Sequence, residues 1–354
     1  MKQRFSFLII FLFFLCACHT ESSKSKNVLT EPLKSGADLK VLQLNVWMAG
    51  SKIENGTEAI ADIIIETGAD LVTLSEVNTQ FMVSLVSALR KKNVTFHFVP
   101  TNDCGILTKY PVIEQKFIYS PDEGFNGILK TSITLTDKKL CLYSAHLDYQ
   151  HYGAFLPRGY DGQSWKKMPA PVTAPDEVLS FNSKSRREDQ IGELIRDAAR
   201  ESAKGSIILV GGDFNEPSHL DWVETTKNLY DHKGAIIPWP CTLMLQNAGF
   251  CDTYREFFPD PVAHPGFTWP SNNPLVDVNK LSWAPESDER DRIDFIFYQK
   301  NQGLKLNKVT IVGPLGTILK GKRDADQLND SIFSPKVPWP SDHKGILAIF
   351  SFEK

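Results

Sequence analysis

The chain is poor in cysteine, with six among 354 residues, and none of the four beyond position 18 sits in a CxxC pair. That spacing argues against a cysteine-based zinc site or a thioredoxin-like centre. A strong charge bias is missing too. The 39 basic and 42 acidic residues leave a net charge of -3, which excludes a strongly basic nucleic-acid coat but not a local basic groove. There is no internal repeat, and no linker divides the body. The one long apolar run, Phe5–Leu15, is too short to span a bilayer comfortably. What remains has a globular composition, 42% hydrophobic and 23% charged, with apolar residues enough for a sizeable core.

Lys2 and Arg4 precede the apolar run, as in a secretory signal. The run ends in Leu15-Cys16-Ala17-Cys18, which resembles a bacterial lipobox, with Cys18 as the candidate lipidation site. An ordinary cleaved signal peptide is the alternative. Residues 1–18 are thus expected to be a lipoprotein signal peptide, and the Ser/Lys-rich residues 19–37 a tether. Residues 38–354 form the folded body, placed at the cell envelope and held to a membrane through Cys18. In that compartment a short Cys241–Cys251 bridge is compatible with the sequence. Cys141 lies in an alternating strand and reads as a buried thiol.

The body mixes strands and helices. Leu39–Val46 alternates as a strand, and Ile60, Ile63 and Ile64 have helical spacing before Gly68. Asp70–Glu76 reads as a second strand, and Met82, Leu85, Val86 and Leu89 mark a second helix. Strands over 105–108, 112–118, 127–135 and 139–146 follow, then a long irregular insertion over 149–182. A helix over 186–202 and strands over 206–210, 294–298, 308–312 and 346–352 complete an α+β pattern.

The polar residues of interest lie at strand ends: Asn45, Glu76, His146, Asp148, Asp213, Asn215, Asp294, Asp342 and His343. Any one of them alone reads as a loop carboxylate or a cap. Together they can meet on one rim, because strand ends of one sheet converge. Glu76, Asp213, Asp342 and the amides of Asn45 and Asn215 are hard oxygen ligands. They suit Mg²⁺, with Mn²⁺ or Ca²⁺ as alternatives, better than zinc. Two histidines are too few for a histidine cage but suit acid/base work or phosphate binding. Asp294 is placed to orient His343.

The segments LNVW (44–47), LSEV (74–77), SAHLD (144–148), GGDFNEP (211–217), DRIDFIF (291–297) and WPSDH (339–343) resemble, in order, those of the endonuclease/exonuclease/phosphatase superfamily. Its branches include DNase-I-like nucleases, sphingomyelinases and inositol polyphosphate 5-phosphatases. The resemblance implies a four-layer α/β/β/α sandwich, two mainly antiparallel sheets flanked by helices. It also implies divalent-metal hydrolysis of phosphoesters. Glu76 corresponds to the principal metal ligand, with Asn45 and Asp342 near the metal or the phosphate. Asp213 corresponds to the residue that polarises the attacking water, and Asn215 to a phosphate-oxygen donor. His343, paired with Asp294, and His146 correspond to the two family histidines; which group is the base stays open.

For the substrate, Tyr149, Arg158, Trp165 and Arg186 are the candidate binding residues. A nuclease would use a basic groove of Lys166, Lys167, Arg186 and Arg187, with Tyr149, Tyr152, Tyr160 and Trp165 stacking on bases. Equally, these residues serve helix capping and packing. A lipid substrate would call for exposed apolar residues, for which Phe155-Leu156-Pro157 are candidates unless buried. The favoured partner is a phosphorylated small molecule or lipid headgroup, nucleic acid is the alternative, and a monomer is expected. A catalytically silent binding module is the competing class.

Overall fold

In the computed structural model, residues 38–120, 126–135, 138–300, 302–325 and 328–352 are described. The signal peptide, the tether and the lipidation site at Cys18 lie outside the described residues. Strand β1 (Leu39–Asn45) leads to α1 (Gly56–Thr67), β2 (Leu71–Val77), α2 (Thr79–Lys91) and β3 (Asp103–Thr108). Then come β4 (Val112–Tyr119), β5 (Ile128–Leu135), β6 (Lys138–His146), α3 (Pro175–Asn182), α4 (Arg187–Ser202) and β7 (Ile207–Asp213). The remainder is α5 (Pro240–Asn247), β8 (Phe250–Asp252), α6 (Thr253–Phe257), β9 (Asp294–Gln299) and β10 (Leu304–Val312), followed by β11 (Thr317–Leu319), β12 (Lys322–Asp324), β13 (Ile332–Phe333) and β14 (Gly345–Phe352).

One sheet has the order β13-β10-β14-β1-β2-β3 and the other β4-β5-β6-β7-β9-β8. Among the described residues only β1–β2, β10–β13 and β6–β7 pair in parallel; the other neighbours are antiparallel. The period-2 pattern of β1 explains the layering. Leu39 and Val41 face the other sheet, meeting a core that includes Leu129, Leu140, Leu209 and Ile296. Leu42 and Leu44 face outward onto Ile60, Ile64, Met82 and Leu85 of α1 and α2. On the far side, Cys141, Tyr143, Ile208 and Val210 pack against Ile191 and Leu194 of α4. Each fully buried aliphatic side chain contributes roughly 1.5–3 kcal/mol, so three such layers dominate stability. The result is the expected four-layer sandwich. No helix among the described residues is long and apolar enough to cross a membrane.

The two sheets approach closely under β7, and Gly211 permits this. A Cβ on Gly211 would sit 2.2 Å from Thr73 Oγ1, and one on Gly212 would sit 2.4 Å from the Ala145 carbonyl oxygen. Gly211 lets the end of β7, just before Asp213, lie against β2 of the other sheet, while Gly212 fits closely beside Ala145 of the neighbouring strand β6.

Three expectations are corrected. Residues 149–182 are not simply irregular: they carry a 3₁₀ turn at Gly153–Phe155 and helix α3, and they bury a core of their own with Trp222, Trp239 and Trp269. Phe155 and Leu156 belong to that core, so they offer nothing to a membrane. Cys241 and Cys251 are free thiols, Cys241 being buried at the start of α5 and Cys251 half-buried in β8.

Candidate active site

Register brings the strand ends together. His146 of β6 pairs with Asp213 of β7, and Asp213 pairs with Asp294 of β9. In the other sheet, Asn45 is level with Ser75, one residue before Glu76. Hydrogen bonds tie the two rims: Ser75 Oγ donates to the Ala145 carbonyl at 3.2 Å, and Asn45 Nδ2 donates to Asp213 Oδ2 at 2.9 Å. A cavity of about 350 Å³ opens over them, lined by Glu76, His146, Asp213, Asn215, Asp342 and His343 on one side and by aromatic rings on the other.

The first histidine–carboxylate pair is His343 and Asp294. His343 Nδ1 lies 2.9 Å from Asp294 Oδ2, while Gln43 Nε2 donates to Asp294 Oδ1 at 3.2 Å. Both oxygens of Asp294 are therefore occupied. Burial alone would push the His343 imidazole down, but Asp294 and Asp213 hold its pKa well above the ordinary value. Its Nε2 stands 3.7 Å from Asp213 Oδ2, beyond a hydrogen bond, so a protonated Nε2 has capacity left for a ligand oxygen. Ser341 fixes this turn: its Oγ donates to the Asn45 carbonyl at 2.7 Å and accepts from the His343 backbone at 3.1 Å.

The second pair is His146 and Asp103, whose Nδ1 and Oδ1 are 2.6 Å apart. Asp103 was not legible as a site residue. It opens β3 with φ of 66°, and its other oxygen accepts from the Gly127 amide at 2.7 Å. A polar residue at a strand start was the only sequence signal. Burial pushes His146 down, yet Asp103, aided by Asp213 and Glu76, lifts it from 6.5 to about 10. A base whose pKa rises on folding stabilises the fold fully below its unfolded pKa and loses that contribution as pH climbs through the folded one. Unfolding stability of the metal-free protein is therefore expected to decline between pH 6.5 and about 10. In Asp103→Asn the decline should be shallower in urea titrations; an unchanged slope would refute the pairing.

Glu76, Asp213 and Asp342 form the acidic floor. Glu76 occupies φ of 63° and Asn215 φ of 47°, left-handed conformations that non-glycine residues adopt at a cost and that often mark functional sites. Glu76 Oε2 accepts the Met48 amide at 2.6 Å, and its Oε1 accepts Asn45 Nδ2 at 3.0 Å. Asn45 thus sets its amide nitrogen between Glu76 and Asp213, with its Oδ1 accepting the Trp47 amide. Here it bridges the two carboxylates. Burial raises the Asp213 carboxyl above the usual range, with Asp294 adding to the rise and His343 opposing it. Asp342 is lifted to about 7, by burial and then by Glu76, against His343.

Asp342 Oδ1 is buried without a hydrogen-bond partner, an arrangement that costs free energy unless a cation satisfies it. This orphaned oxygen, beside Glu76 and Asp213, fits a hard divalent cation. Asp213, Asp294 and His343 also have ligand atoms within 4.8 Å of one another. Asp294, which sits at 2.9 Å from His343 Nδ1 and is absent from the cavity lining, is better read as the orienting partner of His343 than as a ligand. Asn215 lines the cavity, its backbone donating to Asp213 Oδ1 and its Nδ2 to the Leu147 carbonyl, each at 2.9 Å.

Of the substrate candidates, Tyr149 and Trp165 line the cavity. Arg158 does not, and that expectation is corrected: it is 2% exposed, paired with Asp291 and bonded to the Arg290 and Tyr230 carbonyls. Arg186 is corrected likewise. It precedes α4, gives its backbone N–H to Asp148 Oδ2 at 3.1 Å, and does not line the cavity. Asp148 turns away from the cavity, also accepting the Gln150 amide. Arg187 is fully buried on backbone carbonyls of 148–151, and Lys167 pairs with Glu286. None of Lys166, Lys167, Arg186 and Arg187, the groove that a nuclease would use, lines this cavity. Trp47 and Ile293, within the LNVW and DRIDFIF segments, and Trp269 and Met48, which had no readable signal, complete the wall.

The sequence profile described as Endonuclease/Exonuclease/phosphatase family matches residues 42–343. The chain is 30% identical over 325 residues to uncharacterized protein F14F9.5 of Caenorhabditis elegans, covering 89% of this chain and 91% of that protein. Among solved structures it resembles D. rerio TDP2 complexed with single strand DNA product, at TM-score 0.51 and 16% identity, covering 89% of this chain and 99% of that one. It also resembles an endonuclease/exonuclease/phosphatase from Bacteroides vulgatus, at TM-score 0.50 and 13% identity, covering 90% and 100% respectively. These two likenesses are of fold. With all six matched segments converging on one cavity inside the profile's span, the chain is a hydrolase belonging to the endonuclease/exonuclease/phosphatase family.

Proposed function

We propose that the chain is a divalent-metal-dependent phosphoesterase whose substrate is a small-molecule or lipid phosphoester. One observation carries the substrate class: among the described residues lining the cavity there is no lysine or arginine, while Trp47, Tyr149, Tyr152, Phe155, Trp165, Trp269 and Trp283 form its wall. A polyanionic strand tracked through its phosphates would call for basic side chains there.

Glu76, Asp342 and Asp213 would hold the cation, for which Mg²⁺ is the first choice on hard-ligand grounds. When bound it supplies charge neutralisation at the phosphoryl oxygens. Asp213 accepts a proton from water as the water oxygen bonds to phosphorus. The ester P–O bond breaks with its electron pair on the leaving oxygen, which takes a proton from one of the two imidazoliums and departs as the alcohol. The His343 and His146 imidazoliums, held by Asp294 and Asp103, donate to phosphoryl oxygens as charge accumulates. Asn45 fixes the spacing of Glu76 and Asp213. The Leu15-Cys16-Ala17-Cys18 run supports an envelope location through a lipid on Cys18 as part of the same reading.

The test is turnover of bis-p-nitrophenyl phosphate, p-nitrophenyl phosphate, a phospholipid and single-stranded DNA, with Mg²⁺ and with EDTA. Metal-dependent cleavage of small or lipid esters well above that of DNA is expected. DNA as the best substrate would favour a nuclease, and no metal-dependent cleavage at all would favour a binding module.

A further inference from the structure

Four rings of the cavity wall are joined in a chain of near-perpendicular contacts. Tyr152 meets Phe155 at 5.0 Å and 71°, Phe155 meets Trp165 at 5.5 Å and 80°, and Trp165 meets Trp283 at 4.7 Å and 73°. Trp269 closes the side, 6.5 Å from Phe155. Rings set edge to face turn successive corners and enclose a box. A slot for a flat base would need near-parallel planes, and none of these pairs is near-parallel. The box is also built to hold its shape. Trp165 is kept at φ of 60° by a turn in which Asp161 Oδ1 accepts the Gln163 and Ser164 amides at 3.1 and 2.6 Å. Buried Glu289 accepts the Trp283 and Ala284 amides at 2.9 and 2.8 Å, pinning the opposite loop. The Tyr152 hydroxyl, deep in the wall, is spent on Asp291 at 3.1 Å.

A rigid box of aromatic faces with no lysine or arginine in its lining favours a compact, roughly spherical cation that asks for no hydrogen bonds. We infer that this box binds a quaternary ammonium group, so that the substrate is a phosphoester carrying such a group alongside the phosphate placed over the acidic floor. The inference rests on the phosphoesterase reading but is tested apart from it.

The probe is choline itself, titrated calorimetrically into metal-free protein beside its neutral isostere 3,3-dimethylbutan-1-ol. Choline is expected to bind about tenfold more tightly, the scale of a desolvated cation–π contact. The preference should fall in Trp283→Leu and Trp165→Leu, with circular dichroism confirming that each variant is folded. Trp283 is 45% exposed, so its replacement leaves the core intact. Equal binding of choline and the isostere would overturn the inference, whatever the turnover assays show. Conversely, selective choline binding without metal-dependent hydrolysis of any ester would sink the phosphoesterase reading and leave the box in place. With Mg²⁺, glycerophosphocholine and vesicles of a phosphocholine lipid separate a soluble from a membrane source, each compared with its ethanolamine counterpart. Equal kcat/KM for choline and ethanolamine esters would also overturn the inference.

Discussion

Asp213→Asn is expected to lower kcat/KM for the preferred phosphoester by about 10²–10⁴-fold, the range supplied by a positioned proton acceptor. The amide keeps the shape and can still accept from Asn215 or Asn45, but it cannot take a proton from water. Stability should move little. One of the two hydrogen bonds at Asp213 Oδ1 and Oδ2 is lost, about 1 kcal/mol. Against that, the wild-type carboxylate is buried at 1% exposure next to Asp294, and its ionised form costs the fold free energy at neutral pH. The two effects oppose each other. The melting temperature of metal-free Asp213→Asn should therefore stay within about 2–4 °C of wild type, the shift that 1 kcal/mol produces. Activity within tenfold of wild type would sink the assignment of Asp213. A large loss of both activity and melting temperature would show that the residue acts through the fold.

Most of the site was legible because its residues cluster at strand ends, and a strand end is a local signal. The alternation of Leu39–Val46 and the apolar run before Gly211-Gly212-Asp213 place Asn45 and Asp213 without any tertiary knowledge. Parallel pairing of β1 with β2 and of β6 with β7 then does the gathering. What stayed hidden depends on contacts between distant parts of the chain. Asp103 reaches His146 across 43 positions, and only the left-handed turn at the head of β3 aims it there. Arg158 looked available because an arginine among glycine and proline usually meets solvent. Its partner Asp291 lies 133 positions away and cannot be read from the neighbourhood. The insertion misled for a related reason. Its aromatic residues lack helical or strand periodicity, because they pack against Trp222, Trp239 and Trp269 from other loops rather than along one face. Spacing along the chain likewise made a Cys241–Cys251 bridge conceivable, whereas the fold puts one thiol at the head of α5 and the other on β8.

Arg158 also yields the largest expected loss of stability. Its guanidinium and the Asp291 carboxylate are buried together, and Asp291 additionally accepts Trp222 Nε1 at 3.2 Å and the Tyr152 hydroxyl at 3.1 Å. Asp291 further exchanges backbone hydrogen bonds with Trp269, at 2.9 and 3.1 Å, three positions before the Asp294 that orients His343. Arg158→Ala would strand a buried carboxylate, with an expected cost of about 3–5 kcal/mol. Arg158→Met combined with Asp291→Asn removes both charges, keeps an acceptor for Trp222 and turns an amide N–H towards the Tyr152 hydroxyl, which can accept it, and should recover most of that loss. Urea unfolding of Arg158→Met, Asp291→Asn and the double completes the cycle. A substrate-binding arginine would behave in the opposite way: Arg158→Ala would raise KM with stability unchanged, and Asp291→Asn would not rescue it. The geometry predicts the first pattern, because every polar atom of Arg158 with a named partner faces Asp291, Arg290 or Tyr230 and none faces the cavity. The pair therefore acts on catalysis only through the wall it holds, and kcat/KM should follow the unfolding free energy across the three variants.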